Sequence, residues 1–261
     1  MAVELPINSF KTRLSSGPCQ IGFWSTLCSP IATEIVANSG FDWVILDTEH
    51  GPADPLTSLV HLQSFGQSDT APCIRIAAND PVLMKKALDI GAQTILVPQI
   101  ETADDARRAI ASATFPPSGV RGVSTTARAT RYGSVSGYHR QAEAQICIIL
   151  MIESAAALSA LPHILEVPGA DVFLFGPQDL AANMGFLSQP NADSVVRAME
   201  AGAAAITSKG KYPGVAVGNE TDAKSWIERG ARFVTCGSDV SLLARGAEGL
   251  ARRMVAEAIA S

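Results

Sequence analysis

Two carboxylates, Glu153 and Asp179, occur where apolar segments of the chain end. Glu153 closes the segment 146–153, and Asp179 comes shortly after the segment 172–176. If these segments are neighbouring parallel strands, roughly 5 Å apart, the two carboxylates can converge on one cation. Two carboxylates that leave room for water and substrate oxygens suit a hard ion such as Mg²⁺ or Mn²⁺. The alternative is that Glu153 is a polar strand end and Asp179 caps a helix.

Asp179 also lies at the start of a predicted helix, directly after Gly176, Pro177 and Gln178. The first backbone N–H groups of a helix have no partner within the helix and lie at the positive end of its dipole. These groups could hold a substrate carboxylate beside the cation. A 2-oxo acid would then chelate the ion through its carboxylate and keto oxygens.

Two earlier segments end with residues suited to proton transfer and to charge stabilisation. Asp47 and His50 share one turn, where a carboxylate that accepts from one imidazole nitrogen would leave the other nitrogen as a base. A DxxH pattern on its own is also common in purely structural turns. Arg75 interrupts the apolar segment Cys-Ile-Arg-Ile-Ala, so it is either paired inside the fold or directed at an anion such as an enolate oxygen.

Short strands rich in Val, Ile and Leu alternate with amphipathic helices along the whole chain, which predicts one (β/α)8-barrel domain over residues 1–261. An open doubly wound sheet is the alternative. The barrel is favoured because no nucleotide-binding glycine motif follows the first strand, and because the residues above follow several different strands. The predicted strands are 20–25, 43–47, 73–76, 94–98, 146–153, 172–176, 214–217 and 233–237.

The predicted helices begin and end at recognisable signals. Ser29, Asp54 and Asp80 each precede a proline, which is typical of a helix start, and glycines follow several helix ends. The segment 115–137 is rich in Gly, Pro, Ser and Thr, and its length predicts a functional or disordered loop. The predicted helices are 31–38, 55–65, 81–88, 103–112, 155–165, 178–184, 193–208, 221–229 and 242–259.

The composition excludes several classes of protein. Of 261 residues, 47% are hydrophobic and 17% charged, which predicts a large core rather than disorder. The net charge of −5 and the absence of a basic cluster argue against nucleic-acid and membrane partners. No signal peptide or spanning segment is apparent, and the five cysteines are scattered. We therefore expect a cytoplasmic protein with reduced thiols.

Six segments in sequence resemble the HpcH/HpaI aldolase family. They are FDWVILDTEHGP, PCIRIAANDP, GAQTILVPQIET, FPPSGVRGV, LMIES and FGPQDLAANMG, and the likeness runs from about residue 10 to the C-terminus. The family includes 4-hydroxy-2-oxoheptanedioate aldolase and 2-dehydro-3-deoxyglucarate aldolase. The resemblance implies a (β/α)8 barrel, a divalent metal (Mg²⁺, Mn²⁺ or Co²⁺), and a retro-aldol reaction that releases pyruvate and an aldehyde from a 2-oxo acid. It also implies a homohexamer in which the last helix packs on a neighbouring barrel.

The resemblance further implies a role for each residue that matches the family's motifs. Glu153 and Asp179 would bind the metal, His50 oriented by Asp47 would be the acid–base group, and Arg75 would contact the keto oxygen. Backbone amides of Gln178 and Asp179 would bind the substrate carboxylate, and Trp24 would form a wall of the pocket. Two features set this chain apart. Met151 replaces a glutamine common in the family, and the small residues around Ala216 would widen the aldehyde side.

Three other functions compete with a class II aldolase. A Schiff-base aldolase would need a lysine at the barrel mouth, and none of the six lysines follows a predicted strand end there. An oxaloacetate decarboxylase or a CoA-thioester lyase would use the same metal and enolate chemistry, although no basic cradle for a nucleotide is evident. A non-catalytic sugar-acid-binding protein would need neither His50 nor a metal.

Overall fold

The computed structural model of the chain describes residues 3–260, and side chains through residue 256. Eight parallel strands hydrogen-bond in sequence order and close into a barrel. The predicted (β/α)8 barrel is confirmed, and the alternative of an open sheet is wrong. The strands are β1 (Gln20–Ser25), β2 (Trp43–Asp47), β3 (Ala71–Arg75), β4 (Thr94–Val97), β5 (Cys147–Ile152), β6 (Val172–Phe175), β7 (Tyr212–Val215) and β8 (Phe233–Ser238).

Helices connect the strands and cover the outside of the barrel. Three of them begin where the sequence predicts, directly after Ser29, Asp54 and Asp80. Each of these residues caps its helix, because its side chain accepts a hydrogen bond from a backbone N–H of the first turn, and a proline is the first helical residue. The helices are α1 (Ser9–Ser16), α2 (Pro30–Ala37), α3 (Pro55–Ser64), α4 (Pro81–Asp89), α5 (Ala103–Ala113), α6 (Tyr138–Gln145), α7 (Ala155–Ile164), α8 (Pro177–Asn183), α9 (Asp193–Ser208), α10 (Glu220–Glu228) and α11 (Asp239–Ala260).

Alternation along each strand divides the apolar residues between two cores. Every second residue points into the barrel, where Ile45, Ile149 and Leu174 pack together. The intervening residues, such as Leu46 and Leu150, face the surrounding helices. Because strands buried on both faces carry no polar face, the segments read as continuous apolar runs in the sequence.

Helix α1 closes the N-terminal end of the barrel. Phe10 is fully buried, with its ring centroid 5.1 Å from that of Trp43 and 5.5 Å from that of Phe233. Glycines make room for these rings, since a Cβ on Gly22 would lie 2.3 Å from the Trp43 indole and one on Gly214 would lie 2.4 Å from the Phe233 ring. The filled lower end leaves the upper, C-terminal end as the open mouth of the barrel.

The structure corrects several element boundaries. Helix α1 and helix α6 lie outside the predicted helices, because both are short and polar and have weak apolar periodicity. The predicted loop 115–137 contains a short 3₁₀ turn, Arg128–Thr130, and is otherwise irregular. Strand β7 begins and ends two residues earlier than predicted, because Pro213 and Gly214 weaken the apolar pattern at its start.

None of the helices described is both long enough and apolar enough to cross a lipid bilayer.

Candidate active site

A cavity of about 660 Å³ opens at the C-terminal ends of the strands. The predicted site residues Trp24, Asp47, His50, Arg75, Met151, Gln178, Asp179 and Ala216 line this cavity. Glu153 lies immediately beside it, since a Cβ on the lining residue Gly176 would lie 3.1 Å from the Glu153 carboxylate. The sequence-based choice of residues therefore corresponds to one place in the fold.

Asp47 and Arg75 form a buried bidentate ion pair at the base of the cavity. They are register partners at the ends of β2 and β3, and the inward alternation of both strands brings their side chains together. Arg75 donates from Nε to Asp47 Oδ1 at 2.9 Å and from Nη2 to Asp47 Oδ2 at 2.7 Å. Burial opposes ionisation of Asp47, but the hydrogen bond and charge of Arg75 outweigh it and lower the pKa of the carboxyl.

Glu49 is a second partner of Arg75 that the sequence analysis missed. Its Oε2 lies 3.0 Å from Arg75 Nη1. Burial raises the pKa of Glu49, opposed by the charges of Arg75 and His50. A signal was available, because Glu49 comes two residues after Asp47 and so points to the same side of the chain, toward the arginine that ends β3.

The side chains of Asp47 and His50 do not form the predicted pair. Asp47 Oδ1 accepts from the backbone amides of Glu49 and His50, at 3.1 and 3.3 Å, and both of its oxygens bind Arg75. Within residues 3–256 the exposed imidazole of His50 makes no hydrogen bond. The prediction that Asp47 orients the imidazole directly is wrong in this structure, because the adjacent guanidinium occupies the carboxylate. Asp47 instead shapes the turn that carries His50.

Glu153 is half-buried at the end of β5 and is held by the backbone of the preceding loop. Its Oε1 accepts from the backbone N–H of Gln99 at 2.7 Å, and Gln99 has a left-handed φ of 57°. Burial raises the pKa of Glu153, and the negative charges of Glu49 and Asp179 raise it further against the opposing Gln99 hydrogen bond. Glu153 therefore lies within the electrostatic field of two other acids.

Helix α8 directs its first amides toward the cavity. Gly176 occupies the N-cap position and Pro177 the first turn, while the backbone N–H of Leu180 makes the first intrahelical bond, to the Gly176 carbonyl. Among the described residues the amides of Gln178 and Asp179 have no hydrogen-bond partner. Because both residues line the cavity, these amides can receive an anionic oxygen there.

The indole of Trp24 forms one wall of the cavity. Its Nε1 donates to Thr235 Oγ1 at 3.0 Å, and that hydroxyl donates to the Val217 carbonyl at 2.8 Å. The Arg75 guanidinium carbon lies 4.5 Å from the centroid of the Trp24 ring. Stacking and the Thr235 bond fix the indole, so this wall is rigid.

Comparison with known proteins identifies the scaffold that carries this arrangement. Residues 20–246 match the family described as HpcH/HpaI aldolase/citrate lyase. The chain belongs to this family. A pyruvate aldolase from Rhizobium etli is 47% identical over 251 residues, which cover 96% of this chain and 99% of that protein. A 4-hydroxy-2-oxo-heptane-1,7-dioate aldolase from Escherichia coli is 43% identical over 254 residues, 97% of each protein.

A solved HpcH/HpaI structure has the same architecture. The HpcH/HpaI aldolase/citrate lyase family protein from Burkholderia cenocepacia superposes with a TM-score of 0.90 at 36% identity, covering 97% of this chain and 100% of that one. The family resemblance inferred from the six segments is confirmed, and so is the prediction of an aldolase-type carbon–carbon lyase.

A divalent metal is general among class II HpcH/HpaI enzymes, and the residues here fit one. Asp47 and Glu49 pair with Arg75, and the charges of Glu49, Asp179 and Arg75 act on Glu153, so four carboxylates are set against one guanidinium. This excess of negative charge suits a cation. Within the described residues no set of three or more His, Cys, Asp or Glu is arranged to hold a metal. Glu153 and Asp179 could hold a hard cation that takes its other ligands from water and substrate.

Met151, which stands where HpcH/HpaI members often have glutamine, is buried on the barrel side of the cavity. Its methyl carbon lies 3.2 Å from the position of a Cβ on Gly176. A thioether there cannot donate a hydrogen bond to a water near Glu153, whereas a glutamine amide could.

Proposed function

We propose that the protein is a class II, divalent-metal-dependent pyruvate aldolase that reversibly cleaves 4-hydroxy-2-oxo acids to pyruvate and an aldehyde. The observation that carries the proposal is the cavity lined by Asp179 and Arg75 with Glu153 directly beside it, which brings two carboxylates for a cation and a guanidinium for an anion to one place. The names of the relatives from Rhizobium etli and Escherichia coli support the same reaction class.

Arg75 is assigned to the oxygen that gains charge in the reaction. A guanidinium has five N–H donors; two of them are hydrogen-bonded to Asp47, and Glu49 pairs with Nη1 through charge. N–H groups on Nη1 and Nη2 remain for the keto oxygen of the substrate. Because both carboxylates hold the guanidinium before substrate arrives, it needs little reorganisation when negative charge develops on the enolate.

The amides of Gln178 and Asp179 are assigned to the substrate carboxylate, and His50 to proton transfer. The two amides have no partner in the described structure and lie at the positive end of α8. The exposed His50 imidazole is free to exchange protons with water or with the C4 hydroxyl of the substrate. Trp24 and Ala216 would bound the space for the aldehyde portion.

The metal is proposed to be held by Glu153 and Asp179, as Mg²⁺, Mn²⁺ or Co²⁺. When bound, such an ion supplies Lewis-acid stabilisation of negative charge on the 2-oxo acid. The raised pKa of Glu153 supports the assignment, since buried carboxylates that repel one another gain stability from a shared cation. A Schiff-base mechanism lacks its nucleophile, because none of the described residues that line the cavity is a lysine.

A pyruvate-release assay tests the proposal. The metal-loaded enzyme would be given a panel of 4-hydroxy-2-oxo acids, with oxaloacetate included as the substrate of the decarboxylase alternative. We expect release of pyruvate together with an aldehyde, loss of activity in EDTA, and recovery with Mg²⁺, Mn²⁺ or Co²⁺. Glu153→Gln and Asp179→Asn should weaken metal binding in calorimetry. Full turnover by protein that metal analysis finds metal-free would exclude the class II mechanism.

Assembly through α11 is part of the same proposal. Exposed apolar side chains on this helix include Leu242, Leu243, Leu250, Met254 and Val255. Ile31, Ile35 and Leu56 on α2 and α3 are also exposed, which supports packing of α11 on the barrel of another subunit. We propose a homohexamer in which each subunit packs its α11 on the barrel of a neighbour, and light scattering should give a mass about six times that of one chain.

All five cysteines are free thiols, as a reducing cytoplasm would require.

A further inference from the structure

The cavity has a second side that the chemistry proposed above does not use. It is formed by Asn191, Asn219, Asp222, Ser238 and Ser241, which we call the polar wall. These residues come from the connection before α9, from β8 and from the first turns of α10 and α11. In the order of the barrel they lie across the mouth from Arg75, because β7 and β8 close the ring opposite β3 and β4.

Hydrogen bonds fix Asp222 at the centre of the polar wall. Asn219 Oδ1 accepts from the Asp222 backbone N–H at 2.9 Å, which caps α10, and Asn219 Nδ2 donates to Asp222 Oδ2 at 2.8 Å. Asn191 Nδ2 lies 3.4 Å and 3.3 Å from the two carboxylate oxygens of Asp222. Two side-chain amides therefore orient the carboxylate without neutralising its charge.

Asp222 has no ion-pair partner among the described residues, and the nearby Arg197 and Arg229 pair with Asp193 and Glu200 instead. Arg75 is the one lysine or arginine among the described residues that line the cavity, and its charge is already engaged by Asp47 and Glu49. A negatively charged group that entered this side of the cavity would meet repulsion and no compensating partner.

Hydroxyl groups complete the chemistry of the polar wall. Ser238 Oγ donates to Ser241 Oγ at 3.0 Å and accepts from the Ser241 backbone N–H at 3.1 Å. The Ser241 hydroxyl proton is thus available to a ligand, and Asp222 can accept from a ligand hydroxyl. The surface matches a molecule that carries hydroxyl groups and no negative charge.

We propose that Asp222 is a specificity-determining residue that selects uncharged, hydroxylated aldehydes and rejects aldehydes that carry a carboxylate. The inference rests on the proposed aldolase function, because it assigns the aldehyde to the part of the cavity that pyruvate leaves free. Pyruvate held by Arg75 and the amides of α8, as proposed above, would direct the new C3–C4 bond and the aldehyde chain toward the polar wall, which lines the same cavity.

Competing acceptors test the proposal directly. Rates of aldol addition to pyruvate would be measured with glyceraldehyde, butanal and succinate semialdehyde, which differ in hydroxyl content and charge. We expect kcat/KM to be about tenfold lower for succinate semialdehyde than for butanal, the scale of repulsion between like charges in a partly buried cavity. Glyceraldehyde should be the best of the three.

Two variants should remove this discrimination. Asp222→Asn keeps the size and one acceptor oxygen but loses the charge, so kcat/KM for succinate semialdehyde should rise about tenfold while butanal changes little. Asn191→Lys places a cation beside Asp222 at an exposed position and should also raise kcat/KM for succinate semialdehyde. Glu220→Gln is the matched control, because Glu220 lies two residues away on α10, outside the cavity, and is paired with Lys224.

Exchange of the pyruvate methyl protons with D₂O separates the two levels of the proposal, because exchange needs enolisation and no aldehyde. The inference is supported if all variants exchange the methyl protons and only Asp222→Asn and Asn191→Lys change the preference between succinate semialdehyde and butanal. Exchange without such a change in preference overturns the role of Asp222 and leaves the aldolase intact. No exchange by the metal-loaded wild type overturns the proposed function and this inference with it.

Discussion

Arg75 is held by Asp47 through two parallel hydrogen bonds, at 2.9 and 2.7 Å, across register partners of β2 and β3. Glu49 binds the remaining guanidinium nitrogen at 3.0 Å, so carboxylates fix all three nitrogens. A guanidinium held in this way can act on a developing charge without moving first. The same geometry makes Arg75 a structural part of the barrel mouth, because its removal would leave two carboxylates close together and unpaired.

The first prediction separates the charge of Arg75 from its geometry. Arg75→Lys keeps the positive charge and loses the planar fork that binds Asp47 on two atoms. We expect kcat for pyruvate release to fall by about 10²-fold, the usual loss when one stabilising donor is misplaced. Metal affinity in calorimetry should change little, since Glu153 and Asp179 remain.

Arg13→Lys is the matched control for this substitution. Arg13 is partly exposed and pairs with Asp42 at 3.5 Å, away from the cavity. It should retain wild-type kinetics. Wild-type kcat in Arg75→Lys, with a normal melting temperature, would remove Arg75 from the chemistry and leave it a structural role.

The second prediction concerns His50 as the proton-transfer group. If its imidazole moves protons, His50→Ala should slow both aldol cleavage and pyruvate methyl exchange in D₂O by about 10²–10⁴-fold. Metal affinity should stay unchanged, because neither proposed ligand is touched. Exchange at the wild-type rate would assign enolisation to another base.

His50→Gln tests whether the loss of activity comes from lost proton transfer or from lost contacts of the side chain. Glutamine retains hydrogen bonding but cannot carry a proton at neutral pH, so its defect should match that of His50→Ala. His163→Gln, an exposed position on α7, is the control. Recovery of activity in His50→Gln would contradict a proton-transfer role.

The third prediction is a pH dependence of stability that arises at His61. This side chain is 2% exposed, and its Nδ1 lies 3.0 Å from Thr33 Oγ1. Burial lowers its pKa from the ordinary value of 6.5, against opposing effects of the Cys28 backbone and the charge of Asp239. The unfolded chain binds the proton more readily than the folded one. The contribution of His61 to stability is therefore fully present above about pH 6.5, and it is lost as the pH drops toward the lower pKa that His61 has in the folded state.

Urea denaturation between pH 7.5 and 5 measures this effect. The free energy of unfolding of the wild type should fall over this interval more steeply than that of His61→Gln, which has no group to protonate there. The exposed His163→Gln variant should follow the wild-type slope. Equal slopes for wild type and His61→Gln would mean that His61 is not buried in its neutral form.

Element order and the location of the mouth were readable from the sequence, because both depend on local patterns. Apolar runs predicted all eight strands, and proline after Ser29, Asp54 or Asp80 marked helix starts. The weak amphipathic pattern of α1 and α6 left them unpredicted. Their position is decided by tertiary contacts, such as the burial of Phe10 under the barrel, that outweigh local preference.

The sequence by itself determined that the polar residues at the strand ends point inward, and the tertiary structure decided which of them touch and which other residues join them. Period-two alternation directs Asp47, Arg75 and Glu153 inward whatever their neighbours are. The partner of Asp47 depended on the register between β2 and β3, which places Arg75, rather than His50, against its carboxylate. Asp222 entered the cavity only because the barrel closes through β7 and β8. Distances between chain segments far apart in sequence arise from that closure, and no local pattern encodes them.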